Sequence, residues 1–217
     1  MDGTIIDSTN AIIKHWHKLG AELGVDPNVI LATSHGRRSI DVLKLYDPKR
    51  ATREYVAHVE SLIPREFGQD ATLIPGARDM LSALESAHAP RAIVTSGTRP
   101  LVTGWLEVLK LAHPENLVTA EDVENGKPDP ACYALGRSKL GLSQDAPILV
   151  FEDAPAGIRA GKAARCKVVG LATTHSIEQL KDAGADWIVR DMRSVSFKGK
   201  DVKTGELLVE IRDALQD

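Results

Sequence analysis

A chain of 217 residues, 43% of them hydrophobic, can bury a substantial core, as one domain or as a core domain with a smaller insertion. Charged residues make up 26%, with both signs interspersed and a formal net charge of −3, which excludes a basic nucleic-acid face and a polybasic membrane patch. No apolar run approaches the ~20 residues that cross a bilayer, and the first residues lack the layout of a signal peptide.

Two cysteines, Cys132 and Cys166, have neither disulfide nor metal-ligand spacing, so a cytoplasmic protein with two free thiols is expected. Residues 8–70 carry helical stretches at 11–23, 40–45 and 53–63 and no convincing strand. Trp16 is expected in packing, with His15 and His17 facing solvent and taking no catalytic part. Pro75-Gly76 then marks re-entry into a layer of strands and helices. Residues 80–87 read as helix, 91–95 as a buried strand and 101–111 as a helix with Leu101, Trp105, Leu106 and Leu109 on one stripe.

A short strand at 117–119 and a loop at 125–130 precede a helix over 133–140. The strand at 147–151 runs into Glu152-Asp153, followed by helix 157–164, strand 166–172, helix 177–183 and strand 187–189. Such alternation predicts βαβ units on a parallel sheet. Residues 202–215, partly amphipathic, are expected to cover an edge. An all-helical block before a βαβ series predicts an inserted or appended helical module.

Four patches carry chemistry, and each is an acid, a hydroxyl or a cation at a predicted strand end: Asp2-Gly3-Thr4, Ser96, Lys127 and Glu152-Asp153. Taken singly, each is more often a turn, a helix start, a cap or a surface pair. In open parallel sheets ligands bind beyond the carboxyl ends of the strands, so the four can converge. A hydroxyl and an ammonium hold phosphate oxygens, paired acids suit Mg2+, and a further carboxylate can shuttle the proton of a leaving alcohol.

In this order, MDGTIIDS, VTSGT, NGKPDP and VFEDAPAGI resemble the four signature motifs of the haloacid-dehalogenase superfamily, over almost the whole chain. SHGRRSID, TSGTR, GKPDP and VFEDAPAGIRAGKAARCKVVGLATT look closest to fungal glycerol-phosphate phosphatases and 2-deoxyglucose-6-phosphate phosphatases. The resemblance implies an α/β, doubly wound, Rossmann-like parallel-sheet core over 1–8 and 75–217, with a helical cap inserted over 9–74. It implies Asp2 as general acid/base, with Ser96 and Lys127 holding the phosphoryl group and Thr95 and Gly97 beside them in substrate binding. Asp153, with Glu152 and the Asp2 carbonyl, would ligate Mg2+. His35 and Arg38, in a turn between helices, would face the substrate, although a solvated basic turn reads equally well from composition. Arg99 reads equally as a phosphate neighbour or a solvated cation.

The superfamily motif is Asp-x-Asp-Gly-Thr, whose first Asp attacks phosphorus to form an aspartyl-phosphate. Met1 occupies the x position, so the nucleophile and its apolar strand are expected upstream of this sequence. Without that strand, two central strand edges of the sheet are expected to lack a partner. The expected function is hydrolysis of small sugar or polyol phosphates by a monomer. The alternatives are an inactive binding protein on the same fold, a sugar phosphomutase, or Asp2 itself as nucleophile. Arg165, where the subgroup tends to place Gly, is expected to cost about 1 kcal/mol if it closes a helix in the left-handed region.

Overall fold

The structure, a computed structural model, describes residues 1–215. Strand β1 (Ile6–Asp7) leads into four helices, α1 (Thr9–Leu23), α2 (Pro27–Ser34), α3 (Ser39–Tyr46) and α4 (Arg53–Phe67). Strand β2 (Thr72–Leu73) follows and pairs antiparallel with β1, Ile6 opposite Leu73 and Asp7 opposite Thr72. Asp26 starts α2 by accepting from the Asn28 N–H, with Pro27 at the first helical position, where its missing donor costs nothing. The helical module has its own apolar centre of Trp16, Leu19, Ile30, Val42, Leu43 and Val56. It is tied to the rest of the chain by the β1–β2 ribbon.

The remainder alternates helix and strand: α5 (Ala77–Ser86), β3 (Ile93–Val94), α6 (Arg99–Val108), β4 (Leu117–Val118), α7 (Ala131–Lys139), β5 (Leu149–Glu152), α8 (Pro155–Ala163), β6 (Lys167–Leu171), α9 (Ile177–Asp182) and β7 (Trp187–Val189). All pairings among β3–β7 are parallel, β3 with β4 and β6 between β5 and β7. Successive side chains on a strand point to opposite faces, and these strands serve two cores in turn. Val169, Leu171 and Val189 join one cluster with α5 and α6, while Val150, Val168 and Ile188 join another with α7, α8 and α9. This two-sided burial makes the layer doubly wound. Among the described residues no strand joins the β3–β4 pair to the β5–β6–β7 group.

Two expectations need correction. Residues 195–211 form an antiparallel hairpin, β8 (Val195–Lys200) with β9 (Leu207–Ile211), where the sequence suggested only an amphipathic edge cover. Val195, Phe197, Val209 and Ile211 pack on the cluster shared with α5 and α6, a period of two. His15, expected to face solvent, is buried beside Trp16 with rings edge to face, whereas His17 is exposed. Both cysteines are free and buried. Arg165 does close α8 in the left-handed region, with φ 60°. No helix among the described residues is long and apolar enough to cross a membrane.

Burial pushes the His15 imidazole down to about 4, against a smaller upward pull from Glu66. Its Nε2 has no hydrogen-bond partner. A histidine neutral in the fold and protonated when unfolded withdraws stability as pH falls from about 6.5, its unfolded value. Wild type should therefore lose stability relative to His15→Leu between pH 6.5 and 4, by at most about 1.4 kcal/mol per pH unit. Urea unfolding of both proteins at three pH values checks this, and parallel pH profiles would refute it.

Candidate active site

The carboxyl ends of β3 and β5 carry two of the predicted patches, Thr95-Ser96-Gly97 and Glu152-Asp153. Asp153 is almost wholly buried. Its Oδ1 accepts from Thr4 Oγ1 at 3.1 Å, and its Oδ2 accepts from Thr174 Oγ1 at 2.6 Å and lies 3.0 Å from His35 Nε2. Burial pushes this carboxyl up, but the His35 hydrogen bond and charge, the Met1 ammonium and Thr174 together outweigh it and hold it at about 2. Asp153 is therefore a carboxylate at neutral pH. The same contact raises His35 against its burial, and burial lowers His175.

The Asp2-Gly3-Thr4 turn packs directly on that carboxylate. Met1 O accepts from the Thr4, Ile5 and Ile6 N–H groups, and Gly3 sits at φ 68°. A Cβ on Gly3 would fall 2.0 Å from Asp153 Oδ2, so both the dihedral and the approach require glycine. Asp2 Oδ1 accepts from Ser8 Oγ at 2.6 Å. Thr173 Oγ1 donates to the Gly3 carbonyl, closing the turn from the β6 side.

Lys127 reaches the site from the loop before α7. Its Nζ lies 2.5 Å from Glu152 Oε1, which also accepts from Tyr133 Oη at 2.6 Å, and all three groups are buried. Burial works to lower the Lys127 ammonium, but the Glu152 charge overrides it and raises the net value. Glu152 Oε2 accepts from the Ala154 N–H. Glu152, expected beside Asp153 as a metal ligand, is thus engaged by Lys127, Tyr133 and the start of α8.

The helical module closes over these strand ends through His35 and Gly36. Ser96 Oγ donates to the Gly36 carbonyl at 3.0 Å, and His35 meets Asp153. Gly36 has φ 75°, and a Cβ there would lie 2.5 Å from the Ala154 Cβ. This two-residue segment therefore touches both strand ends. Thr95 Oγ1 accepts from the Gly97 N–H, and the Gly97 carbonyl accepts from Ala120, shaping the loop after β3.

The family model of haloacid dehalogenase-like hydrolases matches residues 1–171. The chain belongs to that family. It is 40% identical over 223 residues to glycerol-1-phosphate phosphohydrolase 1 of Saccharomyces cerevisiae, covering 99% of this chain and 89% of that protein. It is 38% identical to 2-deoxyglucose-6-phosphate phosphatase 1 of the same yeast, covering 99% and 94%. A hydrolase from Pseudomonas syringae shares the fold with a TM-score of 0.75 at 26% identity, covering 88% of this chain and 91% of that one.

Within this family fold, one arginine stands apart from the place expected of it. Arg38, expected to face substrate, is buried and bonded to protein on every side. Its Nε and Nη2 grip the Asp41 carboxylate, Nη1 donates to the carbonyls of Val123 and Ala120, and Nη2 also donates to that of Glu124. A guanidinium has five N–H donors, and these contacts use them all. Arg99 pairs with Asp122 at the start of α6.

Sequence reasoning missed Glu60 on α4, which is fully buried. It accepts from Ser39 Oγ at 2.5 Å and from the Thr98 N–H at 2.7 Å, and burial raises its carboxyl. It also missed Thr174, His175 and Tyr133. Nothing local marks Glu60, whereas His175 directly follows the Thr-Thr end of the string that resembles the phosphatase subgroup.

Arg38→Ala should cost about 2–3 kcal/mol, because it strands three loop carbonyls and the Asp41 carboxylate. The urea midpoint should fall accordingly. A variant as stable as wild type, with weakened substrate affinity instead, would restore the substrate-facing reading.

Proposed function

We propose that this chain is the catalytic framework of a Mg2+-dependent phosphomonoesterase acting on small sugar or polyol phosphates, with residues 9–74 as a cap over a core formed by 1–8 and 75–217. The observation that carries the reading is the convergence of Ser96, Lys127, Asp153 and the Asp2–Thr4 turn at the ends of β3 and β5, under His35-Gly36. The yeast relatives named for glycerol 1-phosphate and 2-deoxyglucose 6-phosphate support the substrate class.

In this reading the nucleophile is an aspartate two residues before Asp2, on an apolar strand that would lie between β3 and β5. It attacks phosphorus as the substrate alcohol leaves, and water then cleaves the aspartyl-phosphate. Asp2 gives a proton to the leaving oxygen and takes one from the attacking water, with Ser8 fixing its orientation. Ser96 exchanges the Gly36 carbonyl for a phosphoryl oxygen, and Thr95 and Gly97 hold the loop that presents it. Lys127, kept charged by Glu152, neutralises the phosphoryl group and the nucleophile. His35 reaches the substrate from the cap, and closure of the cap excludes bulk water.

The residues present fit Mg2+. Asp153 is a buried, ionised oxygen donor, and the side-chain-free Gly3 lets the Asp2–Thr4 turn lie directly beside it. Asp153 and Asp2 would hold the ion, with Glu152 acting through Lys127. When bound, Mg2+ supplies positive charge to the transferring group.

Phosphate release from glycerol 1-phosphate and 2-deoxyglucose 6-phosphate tests this reading. A chain carrying the upstream strand and aspartate should turn over only with Mg2+. Asp2→Asn should lower its kcat by roughly 10²–10⁴-fold. The 217-residue sequence alone should release no phosphate above background. Equal turnover without the upstream aspartate, abolished by Asp2→Ala, would make Asp2 the nucleophile and overturn the assignment.

A further inference from the structure

We propose that His35, Asp153 and His175 form a binding site for a divalent transition-metal ion of the Zn2+ type, bridging the helical module to the α/β layer. One ring nitrogen of each histidine and one Asp153 oxygen all lie within 4.8 Å of one another. His35 Nε2 is 3.0 Å from Asp153 Oδ2, and the two imidazoles meet edge to face with centroids 5.2 Å apart. Tetrahedral Zn2+ takes nitrogen and oxygen ligands at about 2.0–2.2 Å, which places ligand atoms roughly 3.3–3.5 Å apart. His35 Nε2 and Asp153 Oδ2 are already slightly closer than that, and the remaining pairs need to close by at most little more than an ångström.

The donor set separates two kinds of ion. Mg2+ takes oxygen and keeps its waters, so Asp153 serves it and the imidazoles do not. Zn2+ is borderline soft and gains from both imidazole nitrogens, as do Cu2+ and Ni2+. Three protein ligands leave a fourth position open, and a cleft of about 420 Å³ lined by His35, Arg37, Arg159, Thr174 and His175 gives that position access to solvent.

Supporting contacts are already in place. Thr4 and Thr174 donate to the Asp153 carboxylate, and Thr174 Oγ1 lies 3.0 Å from His175 Nδ1. Such outer contacts fix the orientation of ligands before an ion arrives. His35 comes from the loop after α2, whereas Asp153 and His175 follow β5 and β6. An ion held by all three clamps the module against the strand ends and occupies the carboxylate that Mg2+ would use. The inference rests on side-chain positions and not on the hydrolytic reading.

Isothermal titration of the chelator-treated full chain with Zn2+ tests it, beside Co2+ absorption spectra that report nitrogen ligation and tetrahedral geometry. One Zn2+ per chain is expected, displaced by Mg2+ only at large excess. His35→Ala and His175→Gln should each weaken Zn2+ at least about tenfold, while His175→Gln leaves Mg2+ affinity unchanged. A variant that fails to fold, judged by circular dichroism, is replaced by the other, since each removes one nitrogen ligand. Zn2+ affinity unaltered in the folded variants, or a Co2+ spectrum typical of six oxygen ligands, would overturn the proposal.

Discussion

A carboxylate taken out of water must have its oxygens met by donors, and Asp153 is where this molecule meets that demand. Thr4, Thr174 and His35 each answer it, and each comes from a different segment of chain. The charge thereby fixes the Asp2–Thr4 turn, the loop after β6 and the first contact of the helical module. Only a residue without a side chain fits at Gly3, because the turn approaches so closely. The nearby Lys127–Glu152–Tyr133 group follows the same logic, a buried cation and anion completed by a phenol. These two networks lie at the end of one strand, β5, and organise everything around it.

The strands bring those groups together because they are buried on both faces. Val150, Val168 and Ile188 face one set of helices, and Val169, Leu171 and Val189 the other, so the polar residues that follow have only the strand ends left to occupy. The helical module contributes backbone as much as side chain. The Gly36 carbonyl accepts from Ser96, and the Ser39–Glu60 pair holds the Thr98 N–H at the mouth of α6.

The α/β series was legible because its strands are short apolar runs punctuated by Pro and Gly, and the strand at 187–189 is found where the sequence places it. The left-handed Arg165 was legible from the glycine that the subgroup places there. The hairpin of β8 and β9 carried a period-two signal in Val195, Phe197, Val209 and Ile211, but interleaved charges such as Lys198 and Glu210 also suit an amphipathic reading. Helix α2 had a start signal in Asp26-Pro27 and was missed because eight residues hold little periodicity. Solvent was the natural guess for His15, since a polar residue beside a tryptophan does not reveal that its helix is covered there too. The motifs located Ser96, Lys127 and Asp153, but not that Arg38 would be saturated by loop carbonyls or that His175 would meet His35. Those pairings depend on contacts between distant segments, which local pattern does not encode.

The β1–β2 ribbon carries a mechanical consequence. Both chain crossings between the helical module and the α/β layer run side by side and are bonded to each other, and the Ile74 N–H extends the pairing to the Ile5 carbonyl. Two independent tethers would let the module swivel and slide. Tethers zipped into one strip resist twisting, so the module keeps one orientation over the strand ends and presents His35 and Gly36 at one place.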